Sequence, residues 1–347
     1  MPKVFNAGRL TLARKRRGLT KVAFAEEVGI SPRIVTDYER GEKVPSPRTL
    51  ARIAEVVRFP IGFFYGADLD EPSILASSFR SLSTLTATQR DQGRAAAALA
   101  LAFSKWIDDR FRLPEPNLPQ YQGIDPETAA MAVRSEWNLG ERPILNMIHL
   151  LEGHGVRVFS LAEECAELDA FSFWHASIPY VFLNTVKSAE RSRMDAAHEL
   201  GHLVLHWKIG VRGRETEREA EQFASAFLMP KGSILAEAPR RGTLTEIIRA
   251  KKRWNVSAAS LTYRMHRLGL LTDWQYRSLF VEIARNGYRT EEPDGSHHEK
   301  SQLLAKVFQT LRDEGITEAG IARDLEIEPS ELKKLIFGLF RPALRLV

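Results

Sequence analysis

His198-Glu199-Leu200-Gly201-His202 lies in an apolar, helix-compatible run in which Leu200, Leu203 and Val204 continue one stripe. Histidines four residues apart leave the same face of a helix and can share one metal ion. Zn²⁺ suits imidazole ligands, and an open coordination position lets a bound ion polarise a peptide carbonyl and acidify water. Glu199, beside the first histidine, is then the candidate general base. The polar stretch 188–197 leads into the motif, so the spacing predicts a buried helix carrying the site.

Such a centre needs a third protein ligand. A second helical segment, Glu215 to Met229, carries Glu215, Glu217, Glu219 and Glu221. Its apolar face is set by Ala220, Phe223, Ala224, Phe227 and Leu228, and Glu217 lies nearest the centre of that face. Glu217 is therefore the expected third ligand. Glu221, one turn later, is placed to orient a ligating histidine from behind, and Glu219 is expected on the solvated face.

The run Ala196-Ala197-His198-Glu199-Leu200-Gly201-His202-Leu203-Val204-Leu205-His206 is followed by Glu217-Arg218-Glu219-Ala220-Glu221-Gln222-Phe223-Ala224 and Leu228-Met229-Pro230. Together these resemble the ImmA/IrrE metallopeptidase family, and the likeness extends from about Asp125 to Leu268-Gly269-Leu270. The resemblance implies a zincin-like fold in which the third ligand is the first glutamate of a Glu-x-x-x-Asn/Asp pattern, here Glu217. The sequence departs at the last position, where Glu221 stands. The resemblance also implies a stress-response or mobile-element setting in which a repressor-type helix-turn-helix protein is cleaved.

From Arg9 to Phe64 the chain reads as short helices with tight punctuation: Leu10 to Arg17, Thr20 to Val28, then Ser31 to Arg40 closed by Gly41. Thr20 and Ser31 are N-cap candidates, and Pro32 suits the first helical position. Phe24, Ala25, Val28, Ile30, Val35 and Tyr38 would form a small core, leaving Arg33, Thr36 and Asp37 on the outer face of the second helix. Residues 1–66 hold thirteen Lys or Arg against six Asp or Glu, a net +7, while the whole chain is +5. The basic charge therefore concentrates where DNA would bind.

Arg14-Lys15-Arg16-Arg17-Gly18-Leu19-Thr20, Phe24 to Ser31 and Tyr38-Glu39-Arg40-Gly41 resemble the XRE family of repressor-like DNA-binding domains. The resemblance implies that Lys21, Arg33, Thr36 and Asp37 face nucleic acid, with Lys21 and Arg40 on phosphate. Asp37 must accept from cytosine or be neutralised by Arg33 or Arg40. The competing reading is a helical domain used for protein contacts or dimerisation.

The 347 residues, 44% hydrophobic, fit a globular chain of two to three domains. Without a membrane-length apolar run or signal-peptide core, and with one cysteine, a cytoplasmic protein is expected. The expected class is mainly α with a small β-sheet (α+β). The helix-turn-helix bundle spans 1–66, a linker with a long helix 67–120, the metallopeptidase domain 121–290 and a C-terminal helical module 299–347. Asp68 to Ser83 reads as irregular, Thr88 to Phe111 as the long helix, and the three prolines of Leu113 to Pro119 as a boundary. Helices are expected near 125–138 and 143–153, and strands near 156–160, 170–175 and 180–184, with substrate backbone along Phe171 to Trp174.

Four further residues carry open alternatives. His206 is either a group behind the metal or transition-state donor, or a residue with a solvent-facing or structural role. Tyr263 and His266 are candidate oxyanion donors, weighed against core or surface placement. Cys165, in the acidic loop 162–168, is either a redox switch able to occupy the metal's open site or an incidental cysteine. The linker Glu291 to His298 reads as polar, with His297-His298 a flexible surface pair. Thr317 to Ile336 resembles another helix-turn-helix, but Glu318, Asp324, Glu326, Glu328 and Glu331 make it acidic, favouring protein contact over DNA.

The function expected is a DNA-binding regulator with a zinc endopeptidase domain, its partners a double-stranded operator and a helix-turn-helix repressor, with no membrane and a plausible homodimer. Manganese and iron suit the same ligand types. The alternative is a regulator whose metallopeptidase-like domain senses a signal or mediates assembly without proteolysis.

Overall fold

A computed structural model describes residues 4–70, 86–161, 170–207, 213–239 and 241–340. Cys165, the C-terminal residues 341–347 and most of the segment 68–83 lie outside these described residues. Within them the chain is mainly helical, with one three-stranded sheet.

The N-terminal helices are α1 (Ala7–Arg16), α2 (Lys21–Val28), α3 (Pro32–Glu39) and α4 (Pro47–Val57), closed by a 3-10 turn at Ile61–Tyr65. Thr20 and Ser31 accept hydrogen bonds from Ala23 and Ile34 backbone amides, so both expected caps form. Phe24, Ala25, Val28, Val35 and Tyr38 are buried, and Ile30 packs at the margin of that core. The long helix α5 (Ala87–Asp108) starts at a capping box between Thr86 and Gln89. It packs along α1.

The proline-rich stretch that follows is docked rather than loose. Asn117 N–H donates to His154 O and Tyr121 N–H to Val204 O, tying it to the elements on either side. Next come α6 (Pro126–Glu136), α7 (Met147–Gly153), β1 (Arg157–Ser160), β2 (Ala170–His175) and β3 (Ile178–Leu183). The order is β1-β3-β2, β1 parallel and β2 antiparallel to β3, with Ser172 opposite Val181 and Phe171 opposite Phe182. β2 is therefore a terminal strand of the described sheet. Ala176 and Ser177 turn the hairpin with φ of 46° and 67°, the left-handed pair a two-residue turn needs.

The motif helix α8 (Ala189–Leu205), capped by Ser188, lies against β2 and against α9 (Arg214–Leu228). Gly201 permits that contact: a Cβ there would lie 3.0 Å from the Phe223 ring and 3.3 Å from Ala220 Cα. The C-terminal end of α9 is met by two buried arginines. Arg134 of α6 donates to Phe227 O, and Arg264 donates to Met229 O while pairing with Glu127. Cations there suit the carbonyl end of a helix. The helices α10 (Lys231–Glu237), α11 (Leu244–Trp254), α12 (Ala258–Arg267) and α13 (Asp273–Arg285) complete this part.

The polar segment 291–298 is tied to the helices beside it. Glu292 accepts from Ala258 N–H and pairs with the buried Lys251 at 3.2 Å, while Ser296 N–H donates to Glu190. His297 and His298 remain exposed. The last three helices are α14 (Gln302–Asp313), α15 (Glu318–Asp324) and α16 (Pro329–Ile336). Capping here is reciprocal: Glu299 accepts from Met147 and Ile148 amides at the start of α7, and Glu152 of α7 accepts from Gln302 and Leu303 amides at the start of α14. Helix α16 reaches β1, α5 and, through Glu331, α1. No helix among the described residues is long and apolar enough to cross a membrane.

Candidate metal centre and nucleic-acid interface

Two helices build the candidate metal centre. α8 contributes His198 and His202 from successive turns, and α9 lays Glu217 across them. His198 Nε2 and His202 Nε2 are 3.1 Å apart, and Glu217 Oε2 and Oε1 lie 3.3 Å and 3.4 Å from them respectively. Tetrahedral ligands held at about 2.1 Å from an ion are separated by about 3.4 Å, so these three side chains fit one ion. A second observation points the same way. Glu217 Oε1 is buried and has no hydrogen-bond partner, a costly state for a carboxylate oxygen unless a cation meets it.

The charges of these side chains are coupled through burial and mutual contact. Burial pushes the Glu217 carboxyl up, but interaction with His198 and His202 outweighs it and holds it well below the carboxylate range. Burial pulls His198 down, yet Glu217, Glu199 and Asp195 together raise it above the ordinary histidine value. His198, His202 and Glu217 are the group among the described residues that could hold a metal ion.

Residues 151–266 match the family described as an IrrE N-terminal-like domain, and residues 10–64 match a helix-turn-helix family. The chain is thus similar, in this order, to an XRE-type helix-turn-helix domain over 10–64 and to an ImmA/IrrE-type, metallopeptidase-like domain over 151–266. No curated protein matches it.

In the IrrE-like domain Glu199 is buried, and Ser172 of β2 donates to its Oε2 at 2.6 Å. Ser172 went unremarked in the sequence reading. Its signal was a lone hydroxyl in the aromatic strand Phe171-Ser172-Phe173-Trp174, where a buried polar side chain needs a partner. Trp174 Nε1–H reaches Leu203 O at 3.4 Å, a second tie between β2 and α8.

Glu221 lies on the exposed side of α9, and Glu219 supplies the carboxylate that reaches the histidine row. His206 is buried, not solvent-facing, with Nδ1 3.0 Å from His202 Nδ1 and Nε2 2.8 Å from Glu219 Oε2. Helix α8 ends at Leu205, and His206 leaves it as the C-cap with φ −123°. Of the other candidates, His266 bonds Asp273 at 2.8 Å and stacks on Tyr276, and Tyr263 is half-buried on α12.

In the helix-turn-helix domain Arg33 and Arg40 are exposed on and just after α3. Thr36 Oγ1 donates to Pro32 O and lies 3.5 Å from Lys21 Nζ, which also pairs with Glu39. The charge of Asp37 is answered by Lys43 at 2.7 Å rather than chiefly by Arg33 or Arg40. That hydrogen bond is the main reason its carboxyl is held low. Glu39 is turned inward, where it accepts both Nε and Nη2 of Arg14.

Proposed function

We propose that this protein is a DNA-binding transcriptional regulator whose ImmA/IrrE-type domain is a zinc-dependent endopeptidase acting on a repressor-type helix-turn-helix protein. The observation that carries the reading is the near-tetrahedral spacing of His198, His202 and Glu217, with Glu199 beside them and anchored by Ser172. Two imidazoles and one carboxylate are a donor set suited to zinc with a coordination position left open. When bound, the ion supplies Lewis acidity toward a scissile carbonyl. Glu199 accepts a proton from the attacking water at its carboxylate and later returns it to the leaving amine. Ser172 keeps that carboxylate in one orientation through Oε2. The terminal strand β2 offers backbone along Phe171 to Trp174 for pairing with an extended substrate segment.

Arg33, with Thr36, reads bases in a major groove, while Lys21 and Arg40 touch phosphate. DNA binding then tethers the peptidase beside a repressor on the same operator and raises its local concentration. A homodimer would match paired half-sites.

The test is a Glu199→Gln variant compared with wild type and Glu217→Ala. Elemental mass spectrometry should find near-stoichiometric zinc in wild type and Glu199→Gln and a marked loss in Glu217→Ala. Cleavage of the co-encoded or operator-bound repressor should be absent in both variants, and operator binding unchanged. Retained biological effect in Glu199→Gln would replace proteolysis with signal sensing or assembly as the domain's role.

A further inference from the structure

His206 has no place in the metal triangle, yet it is 1% exposed and its ring bridges two partners. Nδ1 faces His202 Nδ1 at 3.0 Å, and Nε2 faces Glu219 Oε2 at 2.8 Å. For neutral imidazoles the hydrogen-bond inventory sets the order of hydrogens along this row. An ionised carboxylate only accepts, so His206 Nε2 carries a hydrogen and donates to Glu219. A neutral imidazole has one ring hydrogen, which leaves His206 Nδ1 as an acceptor. His202 Nδ1 must then donate, and its own Nε2 is left with a lone pair. That Nε2 is the atom 3.1 Å from His198 Nε2 and 3.4 Å from Glu217 Oε1.

We infer that Glu219 and His206 are positioning residues that hold His202 in the one tautomer able to ligate a metal ion, its Nε2 lone pair turned toward His198 and Glu217. The inference rests on the metal-centre reading and deepens it. The reverse order, with His206 Nδ1–H donating to His202, would set a lone pair of His206 Nε2 against a carboxylate oxygen at 2.8 Å, which is repulsive. Ligating histidines ordinarily have their second nitrogen held directly by a carboxylate or carbonyl. Here the carboxylate acts one imidazole further out. The chain geometry explains the extra step: α8 stops at Leu205, His206 N–H closes the last turn on His202 O, and the C-cap swings the His206 ring toward α9. Glu217 and Glu219 thus serve the same histidine from opposite ends, one at its Nε2 and one, through His206, at its Nδ1. Glu219 is 38% exposed, so the row runs from the surface of α9 to the buried His202.

The experiment is zinc competition against a chromophoric chelator on the full-length protein, with nitrogen-15 histidine spectra of the zinc-loaded form. Glu219→Ala should weaken zinc binding by about 10- to 100-fold. Glu219→Gln should recover most of it, because the amide oxygen still accepts from His206. Glu215→Ala, 76% exposed on the same helix and paired with Arg218, is the control and should bind zinc like wild type. The wild-type spectrum should place the His206 hydrogen on Nε2 and the His202 hydrogen on Nδ1. Unchanged zinc affinity in a folded Glu219→Ala, or a His206 hydrogen on Nδ1, overturns the positioning role alone. A wild type that takes up no zinc removes the metal-centre reading and this inference together. If Glu219→Ala fails to fold, the tautomers of wild type and Glu219→Gln decide the matter.

Discussion

In the N-terminal pair α2–α3 the second helix carries Arg33 outward and is followed by Arg40, also exposed, while its one inward acid, Glu39, is consumed by Arg14. In the C-terminal pair α15–α16 the second helix turns Glu331 into the interior, where it meets Arg16 Nε at 2.8 Å and Arg17 Nη1 at 2.7 Å from α1. Both pairs have a small apolar core, Phe24, Ala25, Val35 and Tyr38 in one and Ile321, Ala322, Leu332 and Leu335 in the other. The shape of a helix pair therefore does not set its use. What sets it is whether the second helix's charge is left to solvent or spent on a contact within the chain. The C-terminal pair is a clamp: it fixes α1 through Glu331, α5 through Asp324 and Trp106, and the sheet through Phe337 O, which accepts from Thr185. Gly338 belongs to that clamp, since at φ 73° any Cβ would lie 2.6 Å from Thr185.

Breaking the clamp should give the largest effect. Glu331→Gln leaves two arginines facing a neutral group in a buried place, and chemical denaturation should show a loss of about 3–5 kcal/mol. The same residue carries a pH dependence. Burial pushes the Glu331 carboxyl up, but Arg16, Arg17 and Lys334 outweigh it and bring it down to about 2. Because the folded value lies below the unfolded one, its contribution is complete above about pH 4.5, fades as pH falls, and is gone below about 2. The stability gap between wild type and Glu331→Gln should narrow by on the order of 3 kcal/mol across that window. An unchanged gap would mean that Glu331 is not the anchor.

The exposed side of the comparison is sharpened by DNA binding. Arg33→Ala should weaken operator binding by about 10- to 100-fold and relax sequence preference at one base pair. Lys333→Ala, at an exposed position on α16, should leave operator affinity unchanged in a fluorescence-anisotropy titration. Equal losses from the two variants would mean that both pairs touch DNA. The smallest effects lie at the helix starts. Ser31 caps α3 through its side chain, whereas Glu328 precedes α16 with no such bond. Ser31→Ala should cost about 1 kcal/mol, and Glu328→Ser should stabilise by about 0.5–1 kcal/mol, both read from thermal unfolding.

The helices, the strand hairpin and the caps at Thr20 and Ser31 were legible because they follow from local rules of period and capping. The placing of His198 and His202 on one face was legible too, since a four-residue spacing fixes which side chains share a helix face. The outer residues were not. Glu219 read as solvated, yet while 38% exposed it also reaches the buried His206, a contact no wheel of one straight helix displays because His206 lies past the end of α8. Ser172 and Glu331 escaped for a related reason. Each is polar in a pattern that only a distant element completes, Glu199 for one and Arg16 with Arg17 for the other.

Sequence alone determined the two helix-turn-helix patterns, the paired histidines with their glutamate, and the concentration of basic charge at the N-terminus, since each depends on near neighbours or on composition. Only the tertiary structure decided that Gly201 lets α9 approach α8 closely, that Glu217 lands on both histidines, and that the acidic C-terminal pair closes on the basic α1. Those facts depend on which surfaces meet, and the choice is made by the packing of the whole core rather than by any one segment.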